Sequence, residues 1–76
     1  MWNLLEVGHY CTDRTTNWIF DKDFEACTTR CERQGWSILT YRQDRQCVCC
    51  SGSTSFAAYV DSGDGNSYKL SGTSNI

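Results

Sequence analysis

Apolar residues cluster at the start of the chain: Met1, Trp2, Leu4, Leu5 and Val7 lead to Tyr10 and Cys11, a pattern that predicts a first strand within residues 1–11. Residues 12–20 (TDRTTNWIF) predict a polar loop closed by Trp18, Ile19 and Phe20. The apolar spacing then turns helical. Phe20, Phe24, Cys27 and Cys31 follow at intervals of four, three and four, which is one face of a helix. Asp21 is placed as N-cap, Asp23 and Glu25 in the first turn, Arg30 and Arg33 in the last, and Gly35 just past the end. These signals predict a helix over residues 22–34.

After Gly35 the run Trp36-Ser-Ile-Leu-Thr-Tyr41 is rich in aromatic and β-branched residues. Gln43-Asp44-Arg45-Gln46 is a polar turn, and Cys47-Val-Cys-Cys50 resumes an extended pattern, so residues 36–50 predict a β-hairpin. Side chains alternate along a strand, so Cys47 and Cys49 share a face and Cys50 points the other way. Cys27 and Cys31, about 5–6 Å apart on the helix, match the spacing of about 6–7 Å between Cys47 and Cys49. Of the many connectivities open to six cysteines, this geometry selects Cys27–Cys47 and Cys31–Cys49 and leaves Cys11 for Cys50.

From residue 51 the composition changes: 13 of the last 26 residues are Ser, Gly or Thr. Residues 55–60 (SFAAYV) and 68–70 (YKL) are apolar islands around the turn-rich Asp61-Ser-Gly-Asp-Gly-Asn66. Residues 55–60 fit either a short helix or one arm of a hairpin with residues 68–70. The whole chain, residues 1–76, reads as one disulfide-rich α+β domain with a partly ordered extension over residues 51–76.

The cysteine count places the protein. Six cysteines in 76 residues, in a chain too short to be held by its apolar core alone, predict a disulfide framework and hence a secreted, extracellular protein. The N-terminus has neither the basic region nor the apolar run of a signal peptide, as expected of a mature chain, and nothing approaches a membrane-spanning length. A formal charge of −2 argues against nucleic-acid coating and against a lytic cationic peptide. Zinc is not expected, because Cys27-x3-Cys31 and Cys47-x-Cys49-Cys50 lack paired knuckles and His9 is the lone histidine. No cofactor is expected.

The C-x3-C helix followed by a hairpin ending in C-x-C resembles the cysteine-stabilised αβ framework of defensins and scorpion toxins. The resemblance rests on Cys27, Cys31, Cys47 and Cys49 with Cys11 upstream, and covers residues 11–50. It departs at Gly35-Trp36-Ser37, where that family has Gly-x-Cys, and in Cys50 and the long tail. If the tail adds a short helix and a strand, the order β-α-β-β-α-β is similar to that of killer-toxin-like secreted fungal effectors.

For chemistry the chain offers little. His9 with Glu6 and an arginine is the only set that fits a ribonuclease-like site, and no cysteine is left to act as a nucleophile if all are bridged. Residues 61–67 look like a calcium loop but lack its alternating ligands and closing glutamate. The informative excess is ten aromatic residues, more than so small a domain can hide, including Trp2, Tyr10, Trp18, Trp36, Tyr41, Tyr59 and Tyr68. Trp36 and Tyr41 are expected on opposite faces of one strand. Residues 30–45 carry four arginines against Glu32 and Asp44, a local +2.

The expectation is a monomeric, non-catalytic, effector- or toxin-like protein that binds a protein or cell-surface target through Trp36, Tyr41, Arg42 and Arg45. A defensin-like antimicrobial and a secreted ribonuclease are the competing readings. The net charge weighs against the first.

Overall fold

The helix and the sheet it lies on are set by local signals that can be followed residue by residue in the computed structural model, which describes residues 1–60 and 64–71. Helix α1 is Phe24–Arg33, shorter than residues 22–34, and its N-cap is Asp23 rather than Asp21. The Asp23 carboxylate accepts from the Ala26 N–H at 2.9 Å. Asp21 is unavailable for capping because pairing across the sheet holds the chain extended there, with its N–H donating to the Arg45 carbonyl at 2.9 Å. The helix ends in two crossed bonds, Gly35 N–H to Glu32 O at 3.0 Å and Trp36 N–H to Cys31 O at 2.9 Å. These require the left-handed backbone that Gly35 supplies at φ 86°.

Among the described residues seven strands accompany the helix: β1 (Trp2–Val7), β2 (His9–Cys11), β3 (Ile19–Phe20), β4 (Ile38–Arg42), β5 (Gln46–Cys50), β6 (Phe56–Ala58) and β7 (Gly65–Leu70). Five form one antiparallel sheet in the order β1-β7-β4-β5-β3, and β2 and β6 form a separate ribbon. The single first strand expected over residues 1–11 is thus broken at Gly8 into a strand of the sheet and a strand of the ribbon. Residues 55–60 form neither the short helix nor the hairpin arm with residues 68–70. β7 has β1 on one side and β4 on the other and offers no edge, so Phe56–Ala58 pairs with His9–Cys11 instead. The described residues therefore contain one helix, and the β-α-β-β-α-β order is replaced by three strands, a helix and four strands.

The result has three layers. Along β4 and β5 side chains alternate between the helix side and the ribbon side of the sheet. Leu39, Cys47 and Cys49 join Cys27 and Cys31 under the helix, with Trp2, Phe24, Trp36, Tyr41 and Tyr68 packed around them. On the opposite side Ile38, Val48 and Cys50 join Cys11, flanked by Trp18 and Phe56. Three disulfides tie the layers together: Cys27–Cys47 and Cys31–Cys49 hold the helix to β5, and Cys11–Cys50 holds the ribbon to it. Their Cα separations are 5.9, 5.6 and 6.4 Å, all within the range a disulfide spans. One strand with cysteines on both faces is therefore the spine of the molecule. This α+β architecture, a helix stapled to an antiparallel sheet, is that of a cysteine-stabilised fold.

Two expectations for single residues change. Phe20 does not join the helix face; it stands 69% exposed on β3. Trp36 precedes β4, so alternation does not apply to it, and it packs on the same helix-side core as Tyr41. Among the described residues no helix is long and apolar enough to cross a membrane.

Candidate functional site

None of the ten aromatic rings lies in the fully buried core, which is built of cystine, Ile38, Leu39 and Val48. The disulfides occupy the centre and the rings form its rim. They gather most densely at the end of the sheet where β4 runs into the hairpin turn.

Arg42 is the last residue of β4 and projects on the ribbon side. Its guanidinium carbon lies 5.7 Å from the Trp18 ring centroid and 5.5 Å from that of Tyr59. Tyr10 from β2 continues the stack, with its centroid 4.9 Å from that of Tyr59. Asp44 and Asp64 approach Arg42 at 3.8 and 4.0 Å, close enough for attraction and too far for direct hydrogen bonds. The Tyr59 hydroxyl is enclosed and has no hydrogen-bond partner among the described residues. Burial pushes its pKa up to about 12, against the opposing pull of Arg42.

On the helix side Tyr41 packs edge-on against Phe24 at 5.5 Å, and Phe24 also meets Tyr68 at 4.6 Å. The Tyr41 phenol is raised from its ordinary value by desolvation and, to a lesser extent, by the charge of Asp23. A groove of about 330 Å³ opens beside this cluster, lined by Val7, Tyr41, Arg42, Gln43, Gly65, Asn66 and Tyr68. Gly65 shapes it: a Cβ there would fall 2.7 Å from the Tyr41 carbonyl oxygen, so only glycine lets β7 approach β4 so closely. Arg45 stands exposed at the hairpin tip with φ 70°. That left-handed backbone suits glycine or asparagine better than arginine, a cost of about 1 kcal/mol.

The four residues expected to bind a partner do not form one patch. Tyr41 and Arg42 lie on opposite faces of β4, with Arg45 at the adjoining tip, whereas Trp36 sits beyond the other end of β4, packed by the helix C-terminus. Trp18, Tyr59 and Tyr10 belong with Arg42. The sequence marked these rings only as part of an aromatic excess, because they are far from Arg42 along the chain and meet it only after β2, β6 and β4 are layered.

The other candidate chemistries resolve as follows. The Nδ1 of His9 lies 2.8 Å from the Val7 carbonyl oxygen, an arrangement in which that nitrogen donates and is occupied locally. The sulfur atoms of Cys27, Cys31 and Cys47 lie within 4.8 Å of one another, but all belong to disulfides, so their closeness reflects adjacent bridges. Of the calcium-like loop, residues 61–63 lie outside the described residues, and Gly65, Asn66 and Ser67 are part of β7. A second groove, about 420 Å³, runs along the helix past Lys22, Asp23, Glu25, Ala26, Thr29, Arg30 and Arg33. Asp23 there is engaged in capping, and Arg30 donates to Asp21 at 3.0 Å. Comparison with known proteins finds no matching family model, no similar curated protein and no similar solved structure.

Proposed function

We propose that the protein is a small secreted, effector- or toxin-like binding protein, non-catalytic, that engages a protein or cell-surface target through the arginine and aromatic end of its sheet. The observation that carries this reading is Arg42 held between the Trp18 and Tyr59 rings beside an open groove, with Arg45 presented at the tip. A guanidinium already stacked loses little freedom on binding, and Arg, Tyr and Trp are the side chains most often responsible for interface affinity. The left-handed arginine supports the same reading, since a glycine at Arg45 would relieve the backbone while discarding the side chain.

Secretion is supported by the three disulfides, which persist in oxidising surroundings. The absence of free cysteines and the local engagement of His9 favour binding over catalysis. A defensin-like action on microbial envelopes has less support, because a net charge of −2 gives no cationic excess.

Fluorescently labelled, oxidised protein titrated onto intact plant, fungal and animal cells tests the proposal. Saturable binding that falls at least tenfold in Arg42→Ala and Arg45→Ala, and persists in Arg33→Ala, is the expected result. Equal binding by all three variants, or none by the parent protein to any surface, would overturn it. Cleavage of RNA by the parent protein that is lost in His9→Ala would replace it with the nuclease reading.

A further inference from the structure

The helix packs mainly over β4 and β5 and reaches the β1–β7 half through two side chains, Phe24 meeting Tyr68 at 4.6 Å and Glu32 accepting from the Trp2 indole N–H at 2.7 Å. Among the described residues β1 is also the sheet edge, paired with β7 alone. The opposite edge, β3, is two residues long and runs straight into Asp21 and Lys22. β1 is six residues long and carries no lysine, arginine or proline. Leu4 is 54% exposed, Leu5 40% and Val7 66%, with Met1 at 84% just before them. The one irregularity, a bulge between Leu4 and Glu6, leaves Trp2, Asn3 and Leu4 in regular register. A long, mostly apolar edge whose one charge, Glu6, lies towards its far end is a template for strand addition.

We propose that β1 is a self-association surface, and that two copies join by antiparallel β1–β1 pairing about a twofold axis near Asn3. Trp2 and Leu4 lie on the same face of the strand, opposite Leu70 and Tyr68 of β7. Pairing centred on Asn3 sets Trp2 of each copy opposite Leu4 of the other, twice over, on the helix side of the sheet, where Trp2 is half-buried and Leu4 is exposed. Charge selects the antiparallel arrangement. Glu6 is the only charged residue of β1, and in-register parallel addition would stack it on itself. The antiparallel register places the two Glu6 side chains about 20 Å apart along the joined strands, beyond a screening length of about 8 Å.

Pairing on this scale covers about 400–600 Å² per copy, which puts the dimer among weak, concentration-dependent associations. The monomer expected from sequence is then the dilute state. Joining at Asn3 leaves the Val7 end of each β1 pointing outward, so the two groove-bearing ends face away from each other. The dimer stands independently of what those ends bind.

Sedimentation velocity on the oxidised full chain, from about 10 μM to about 1 mM, tests the proposal across the range of a weak interface. Rising concentration should carry the average mass from one chain towards two. Leu4→Lys and Leu5→Lys should remain single throughout, and Phe20→Lys, at the other edge, should associate like the parent. Amide exchange of residues 2–6 should slow with concentration in the parent alone, and circular dichroism establishes that each variant is folded. A parent protein that stays single at 1 mM overturns the proposal, as does association that survives both leucine substitutions or is abolished by Phe20→Lys.

Discussion

Thr40 is fully buried at the centre of β4, and its hydroxyl joins three strands. Its Oγ accepts from the Cys11 N–H at 3.0 Å, lies 2.8 Å from the Ser67 Oγ and 3.2 Å from the Cys11 sulfur. The Ser67 hydroxyl in turn donates to the His9 carbonyl at 2.9 Å. With the Ser67 proton so directed, the Thr40 proton serves Ser67 or the sulfur. Thr40→Val keeps the shape and removes the oxygen. It strands the Cys11 N–H in a fully buried site, costing about 1–3 kcal/mol, and deletes the bond to Ser67, worth about 0.5–1.5 kcal/mol more. The sum, about 2–4 kcal/mol, is a large share of the roughly 4–11 kcal/mol expected for a chain of this length. In urea, with a slope of about 1 kcal/mol/M, the midpoint of the oxidised protein should fall by about 2–4 M. Thr40→Ser keeps the oxygen and loses one methyl, about 0.8 kcal/mol, so it should be the milder change. A Thr40→Val midpoint within about 0.5 M of the parent, or a costlier Thr40→Ser, would refute the reasoning that the hydroxyl, and not the packing of β4, holds the ribbon to the sheet.

Arg30→Ala should cost about 2–3 kcal/mol in the same assay, because Arg30 and Asp21 are only 19% and 11% exposed and the carboxylate would lose its partner; a loss no larger than that of Asp23→Ala, about 1 kcal/mol for an N-cap, would contradict this. Stability should fall as pH rises from about 10 to 12, since unfolded Tyr59 sheds its proton near 10 and the folded phenol holds it to about 12. Phenolate absorbance in the near ultraviolet should show a titration step near 12 that disappears in Tyr59→Phe, whereas the raised Tyr41 step remains; persistence of the step near 12 would assign that phenol elsewhere. Breaking Cys11–Cys50, whose ends are 39 residues apart, should cost about 4 kcal/mol, and either helix bridge, 18 or 20 residues, about 3 kcal/mol. Reduction should therefore unfold the chain, and alkylation without reductant should label no cysteine. Peptide mapping that pairs Cys27 with Cys50 would be incompatible with the helix-to-strand register.

The candidate site was legible only in part. Arg42, Arg45 and Tyr41 stood out in the sequence as arginine and aromatic residues around a turn, and all three lie at one end of β4. Trp36 was grouped with them on the assumption of a continuous strand, but the helix-ending bonds to Gly35 and Trp36 delay the strand to Ile38. The rings that hold Arg42 come from Trp18 and Tyr59, and nothing in the sequence couples those positions to it.

By itself the sequence determined what depends on short-range periodicity. Helical spacing put Cys27 and Cys31 on one face, strand alternation put Cys47 and Cys49 on one face and Cys50 on the other, and these two periods dictate which sulfurs can meet. Only the tertiary structure decided what depends on competition for edges and space. β7 inserts between β1 and β4, so Phe56–Ala58 must pair with β2; cross-sheet pairing of residues 19–21 takes Asp21 from the helix cap and turns Phe20 outward. Such outcomes follow from contacts between segments distant in the chain, whose energies no local pattern encodes.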